Sequence, residues 1–285
     1  MDLERWYRGG IKIKLEAGEI FYKREGAGPV LICIHGFPSS SWDFELMWKG
    51  LMPHFDLITM DLIGLGRSEK TSAEISVKKQ AQMIESLCEH LQVSSAHILS
   101  HDYGDTVAQE LIASFQEGSL SFDLKSCVFL NGGLFPETHQ PLLIQRLLAS
   151  PLGPLLSGFI SIRSLRKSFH RIFSDSKPPS EDFIQGTWDL IVENNGKAMI
   201  PKLIKYMDER RVNRERWVGV LEQPVIPMRL INGIEDPVSG LHAAERYKEL
   251  VPNADIIYLE STGHYPHVED PDAVMAAFLE FHSIS

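Results

Sequence analysis

The feature that most constrains this 285-residue chain is the point where an apolar run ends and a helical pattern begins. Ala96 to Leu99 reads as a strand that stops abruptly at Ser100. A helical pattern follows and carries Val107, Ala108, Leu111, Ile112 and Phe115. Between them lies a small residue, His101, Asp102, Tyr103 and a second small residue, Gly104. A strand that turns this sharply into a helix brings two backbones close together, so small residues flank the turn. The turn also pushes its central side chain, here Asp102, out above the end of a sheet. A carboxylate there suits attack on saturated carbon, because the ester it leaves can be cleaved by water. Against an ordinary ester or amide it would give a mixed anhydride, a poor intermediate. Asp102 therefore points to an epoxide or a carbon–halogen bond, and away from lipase or peptidase chemistry. The helix N-terminus beneath it favours the ionised form. The plainer alternative is that Asp102 only caps the helix.

On either side of this turn the chain alternates strand and helix. Ile11 to Leu15 and Glu19 to Lys23 read as an edge hairpin around Ala17-Gly18. Val30 to Ile34 is a continuous apolar run, as expected of a strand buried on both faces. The next stretch, Trp42 to Leu51, reads as a helix, Asp56 to Met60 as a strand and Val77 to Leu91 as an amphipathic helix. A strand is expected at Cys127 to Leu130. This rhythm implies a mostly parallel sheet wound with helices. It breaks over residues 132–223, where helical periodicity appears at Leu142 to Leu148, Ile184 to Asn194 and Lys202 to Met207, with no strand. The expected organisation is a core in two parts, 1–131 and 224–285, with 132–223 inserted as a helical lid. Strand and helix resume at Met228 to Ile231, His242 to Leu250, Ile256 to Leu259 and Asp272 to Phe281. Arg210, Arg211, Arg214 and Arg216 read as a solvated helix face.

Composition narrows the function. A net charge of −10 argues against nucleic acid or an anionic membrane surface as partner. The three cysteines, Cys33, Cys88 and Cys127, have no paired or metal-ligand spacing and read as buried thiols in a reducing compartment, the cytoplasm. Neither a signal peptide nor a membrane span is expected. The loop from Gly64 to Glu69 lacks the third glycine of a dinucleotide loop and reads as a structural turn. No cofactor and no metal is expected. The expected partners are a small, largely apolar organic substrate and water.

A nucleophile at Asp102 needs a base to activate water, and the base needs an orienting carboxylate. Asp236, after the strand at Met228 to Ile231, is the candidate orienter, with Glu235 second. His264, after Gly263 and the last strand, is the candidate base. His267 is its rival, read as packing against the lid or facing solvent. Phe37, in the loop His35-Gly36-Phe37-Pro38, and Tyr103 offer backbone N–H groups for an oxyanion hole. His35 is placed with the substrate-binding residues.

Together, His35 to Pro38, Asp61 to Ser68, the Asp102 elbow, Asp236 and Gly263-His264 resemble the α/β-hydrolase superfamily. The chain order of nucleophile, acid and base is also that fold's. The aspartate resembles the branch of epoxide hydrolases and haloalkane dehalogenases. Ser100 to Asp105, Asn131 to His139, Arg216 to Gly219 and His264 to Pro266 are similar to the mesoderm-specific transcript subfamily. The resemblance implies an α/β-hydrolase fold with a helical lid and hydrolysis through an ester on Asp102. Dehalogenases of the branch carry Trp and Asn where this sequence has Tyr103 and Phe37, so their halide donors are missing unless Trp188 contributes. Epoxide hydrolases use two lid tyrosines; here Tyr206 matches the later one and no tyrosine matches the earlier. Epoxide opening is therefore the first expectation and dehalogenation the second. A ligand sensor or scaffold that kept the fold is the reading from another class. Asp105 replaces a usual small residue and reads as charge complementing the first turn of its helix.

Overall fold

The computed structural model describes residues 1–16, 18–70 and 74–284. Its strands form one sheet: β1 (Ile11–Leu15), β2 (Gly18–Gly26), β3 (Val30–Ile34), β4 (Asp56–Met60), β5 (Ser95–His101), β6 (Asp123–Leu130), β7 (Met228–Gly233) and β8 (Ile256–Leu259), in the order β1-β2-β4-β3-β5-β6-β7-β8. From β4 to β8 neighbouring strands are parallel; β2 is antiparallel to both β1 and β4. The central strands are Val/Ile/Leu-rich because helices cover both faces of the sheet. Leu31 to Ile34 and all of β7 are buried. The rim strand β1 instead exposes Ile11, Lys12 and Lys14, and lysines on a rim discourage pairing with another chain.

The helices are α1 (Leu3–Arg8), α2 (Glu45–Leu51), α3 (Val77–His90) and α4 (Tyr103–Gln116) before β6; α5 (Leu143–Ala149), α6 (Gly153–Ser157), α7 (Ile162–Ile172), α8 (Glu181–Val192), α9 (Ile200–Leu203), α10 (Tyr206–Val212) and α11 (Arg214–Glu222) between β6 and β7; and α12 (Leu241–Leu250), α13 (Pro266–Glu269) and α14 (Pro271–Phe281) after it. This is an α/β-hydrolase fold. Ile34 pairs with Ser100, Ser100 with Phe129 and Leu130 with Ile231. The carboxyl ends of four strands therefore line up, and the loops that follow them meet at one edge of the sheet, where open α/β sheets bind ligands. Among the described residues, no helix is long and apolar enough to cross a membrane.

Helix α4 is buried on all sides from Tyr103 to Ala113 because it lies between the sheet, α3 and α11. Its polar residues must then find partners. Gln109 donates to the carbonyls of Leu134 (3.2 Å) and Trp217 (2.9 Å). Glu110 accepts from Arg216 Nε and Trp217 Nε1, both at 2.7 Å. These bonds anchor α11, the end of the helical segment, to the core. Removing only the Glu110 carboxylate would leave the buried Trp217 Nε1 without a partner, at a cost of about 1–3 kcal/mol, while the half-buried Arg216 keeps Glu117.

The expected edge hairpin is present: β1 and β2 pair antiparallel at the sheet's edge, and the second half of β2 joins them to β4; Ala17, in the expected turn, lies outside the described residues. Two departures from the sequence reading have physical causes. β6 begins at Asp123, earlier than the apolar run, because Asp123 and Lys125 are exposed and hide the pattern. The helical pattern from Lys202 to Met207 divides into α9 and α10.

Candidate active site

Asp102 has φ 48° and ψ −105°, a conformation no ordinary helix cap requires. Such a backbone costs on the order of 1–3 kcal/mol and persists only where its surroundings enforce it. Two glycines make the enforcement possible. A Cβ on Gly104 would lie 2.3 Å from the Ile34 carbonyl oxygen, and one on Gly36 would lie 2.7 Å from His101 Nδ1 and 2.9 Å from Asp102 Cβ. The end of β3 therefore passes directly against the turn between β5 and α4.

The Asp102 carboxylate is covered by its surroundings, with only 3% of the residue exposed, so it is not the open loop tip that the sequence suggested. Oδ2 accepts from the Phe37 N–H at 3.1 Å, and Oδ1 lies 3.9 Å from His264 Nε2. Burial pushes its pKa up, but His264, Arg210, His101 and the Phe37 N–H outweigh burial and hold it below the ordinary carboxylate value. His264 Nδ1 donates to Asp236 Oδ2 at 2.7 Å. Asp236 is held by the N–H of Val238 (2.7 Å), the N–H and hydroxyl of Ser239 (3.1 and 2.8 Å) and Asn131 Nδ2 (3.1 Å). Glu235, the second candidate, is exposed. Burial opposes a charge on His264, yet Asp236 and then Asp102 overcome it and raise the pKa to about 9.

The remaining candidates fall into different places. Tyr103 begins α4, so its N–H is one of the first-turn donors that lack a helical acceptor. Tyr206 is fully buried, its ring 4.7 Å from that of Tyr103 and 6.0 Å from that of Phe37, and its hydroxyl has no partner among the described residues. His35 does not face a substrate. Its Nε2 accepts from the Leu62 N–H at 3.0 Å, which leaves Nδ1 to donate to the Gly36 carbonyl at 2.7 Å, so the ring staples two loops. Trp188 is half-buried on α8, with Lys197 Nζ 5.7 Å from its ring centroid. It does not line the cavity of about 100 Å³ that opens beside His264, whose walls include Phe37, Leu142, Leu165, Phe169 and Ile204.

His267 is neither lid packing nor solvent-facing. It is fully buried among Phe44, His101 and Tyr265. Asp105 is also wholly buried, and burial together with Asp102 raises its pKa well above the ordinary carboxylate value, which opposes the charge expected at the helix terminus. The basic run is a solvated face only in part: Arg211 is exposed and pairs with Asp208. Arg214 pairs with Glu137, and Arg216 with Glu110 and Glu117. Arg210, only 2% exposed, donates through Nε to Thr106 Oγ1 (2.6 Å) and through Nη2 to the Asp102 carbonyl (3.1 Å). Sequence reasoning missed Arg210, although it lies four residues after Tyr206 and hence on the same helix face. Asn131 was missed as well. It has φ 42°, and its Oδ1 accepts from the Gly233 N–H at 2.7 Å, which binds the ends of β6 and β7 together around Asp236.

Residues 31–277 match the model of the alpha/beta hydrolase family. The mesoderm-specific transcript homolog protein of Bos taurus is 36% identical, over 98% of this chain and 87% of that one. LipZ of Mycobacterium tuberculosis is 35% identical, over 98% and 97%. Among solved structures, the epoxide hydrolase CorEH superposes with a TM-score of 0.79 at 19% identity, over 96% and 98% of the two chains. A haloalkane dehalogenase DbeA variant from Bradyrhizobium elkanii superposes with 0.80 at 17% identity, over 96% of each. The extent of these matches, over a sheet whose strand ends bring an aspartate, a histidine and a second aspartate together, places this chain in the alpha/beta hydrolase family.

Proposed function

We propose that the chain hydrolyses a small, largely apolar substrate through a covalent ester on Asp102, with epoxide opening as the reaction. The observation that carries this reading is the row of three groups: a carboxylate on a strained turn, His264 Nε2 at 3.9 Å from it, and Asp236 at 2.7 Å behind the imidazole. Asp102 attacks the epoxide carbon, the carbon–oxygen bond breaks, and the ring oxygen takes a proton. Tyr206, with its buried and unspent hydroxyl, is the donor. Burial and the nearby Asp102 raise the pKa of this phenol, so it stays protonated until the alkoxide forms.

Breakdown of the ester uses the other side of the site. In the resting enzyme His264 carries a proton because two carboxylates face it. Once Asp102 is an ester, one of those charges is gone. The imidazole returns its proton to the Tyr206 phenolate left by ring opening, then takes a proton from the water that attacks the ester. The alkoxide that leaves takes up the remaining proton of that water as the Asp102 carboxylate is restored. A separation of 3.9 Å is too long for a direct hydrogen bond, but a water off the line can stand about 2.8 Å from both groups. The Phe37 N–H already points at an Asp102 oxygen, and with the Tyr103 N–H it would stabilise that oxygen as it becomes an oxyanion.

Dehalogenation shares every step except proton donation. It is the second reading, because Tyr103 and Phe37 occupy the positions of the usual halide donors and Trp188 stands away from the cavity. A non-catalytic sensor would not need a strained Asp102 opposite a histidine held by its own carboxylate. In heavy-oxygen water, repeated turnover of an epoxide should place the label in the Asp102 carboxylate. Label found only in the product, with Asp102 unlabelled after many turnovers, would overturn the covalent route.

A further inference from the structure

Several buried polar atoms beside Asp102 have no role in the steps above. Arg210 Nη1 and both ring nitrogens of His139 lack a hydrogen-bond partner among the described residues. Arg210 is 2% exposed, and its other two nitrogens are committed to Thr106 and to the Asp102 carbonyl. Those bonds fix the plane of the guanidinium, so the direction of Nη1 is fixed too. The Tyr206 ring against the guanidinium, 4.5 Å from Cζ, adds to the constraint.

Nη1 and His139 meet over Gly133. A Cβ on Gly133 would stand 2.2 Å from Arg210 Nη1 and 2.8 Å from His139 Nδ1. Glycine is thus the residue that leaves room for both. Burial, then Arg210, hold the His139 pKa down to about 3, so the ring is neutral and one of its nitrogens is a donor. Neither residue lines the cavity beside His264; the pair stands behind Asp102, whose carbonyl Arg210 Nη2 reaches at 3.1 Å, and the chain next to His139 is joined to the cavity wall. The N–H of Gln140, next to His139, donates to the carbonyl of Val238 at 3.1 Å, and Val238 lines the cavity beside His264. Unpaired buried donors that converge from two chain segments call for an acceptor between them.

We propose that Arg210 Nη1 and His139 form an anion-receiving subsite beside the nucleophile, which takes a carboxylate carried by the substrate. A carboxylate has two oxygens and can engage a guanidinium edge with one and a neighbouring N–H with the other. The substrate class is then an apolar carboxylic acid whose reacting carbon lies close to its carboxylate, with its tail along Leu142, Leu165 and Phe169. Charge permits this only because Arg210 is permanently cationic. Asp102 and Asp236 already place two negative charges in the site, against His264 and Arg210. The subsite gives a substrate to the Asp102 reaction proposed above and rests on that reading, but its test does not.

Binding of hexanoate and of hexanamide to the resting enzyme is to be measured by calorimetry at constant ionic strength. Hexanoate should bind saturably and hexanamide at least about tenfold more weakly, as expected for losing a charge-assisted hydrogen bond. Arg210→Gln should abolish the preference for hexanoate, and Arg210→Lys should restore part of it. His139→Gln leaves the Arg210 bonds to Asp102 and Thr106 in place and should weaken hexanoate alone, which guards against a misfolded Arg210 variant. No hexanoate binding, equal binding of the two probes, or an unchanged preference in both Arg210→Gln and His139→Gln would overturn the subsite and leave internal water as the partner of these donors. Adduct formation on Asp102 with a neutral epoxide that the wild type turns over, followed in His264→Gln, reports the nucleophile separately. An adduct without hexanoate binding removes only the subsite; hexanoate binding without an adduct removes only the nucleophile.

Discussion

The turn between β5 and α4 and the helical segment between β6 and β7 both hold polar groups in apolar surroundings, but by different means. At the turn the backbone does it. Sheet register and two glycines force Asp102 into place; Ser100 and Gly104 lie within a few residues of it, and Gly36 comes from the end of the adjoining strand. In the helical segment long side chains do it. Arg210 reaches Thr106 and the Asp102 carbonyl from more than a hundred residues away, and Arg216 reaches Glu110 over a similar span. Local geometry can therefore be read from local sequence, whereas a contact between distant helices cannot. The turn should also be the stiffer of the two, because its constraints are covalent and steric.

The largest effect that separates the two regions is expected at Asp102. Asp102→Ala should reduce turnover by about 10⁴ or more, the scale seen on removing a nucleophile. The fold should survive, since the substitution removes a buried charge and leaves the sheet untouched. Activity near wild type would dismiss the assignment, and a collapsed melting temperature would make the residue structural. Tyr206→Phe comes next, with an expected fall of about 10²–10³ in epoxide turnover, the usual cost of one donor to a developing oxyanion. Its melting temperature should hardly change because the ring stays packed. An unaltered rate would leave Tyr206 as packing only.

A smaller effect is expected in the pH dependence of stability. The His264 pKa is raised from 6.5 to about 9 in the folded protein. The stability this supplies is complete below about 6.5, where the unfolded chain is protonated as well, and is lost as pH rises through about 9. Melting temperature should therefore decline over that window in the wild type and decline less in His264→Gln. Parallel curves would mean that the imidazole is not held charged. The smallest effect is expected at Trp188. Trp188→Ala should leave turnover nearly unchanged, because the ring packs beside Lys197 outside the cavity. A loss of tenfold or more, measured with saturating substrate, would bring the outer helices into the site.

These contrasts show how far the sequence could be read. The order of strands and helices around Asp102 was legible because each element carries its own period and the turn carries its own small residues. The positions of Asp236 and His264 were legible because each follows a strand directly. The burial of Asp105 was not, since an acid in the first turn of a helix ordinarily reads as a solvated charge; here α3 and α11 close over that helix. His35 was misplaced because a histidine beside a glycine-rich loop looks free, whereas its ring spans two loops that meet only in the folded sheet. Arg210 was hidden among neighbours that do form surface ion pairs.

The most direct measurement is made on His264→Gln, which should form the ester but fail to release it. Intact-protein mass spectrometry after addition of an epoxide should show a stoichiometric mass increase equal to the substrate, and peptide mapping should place it on Asp102. The wild type should show no such increase at steady state. Loss of activity in His264→Gln without any adduct, for an epoxide that the wild type turns over, would contradict a covalent ester on Asp102.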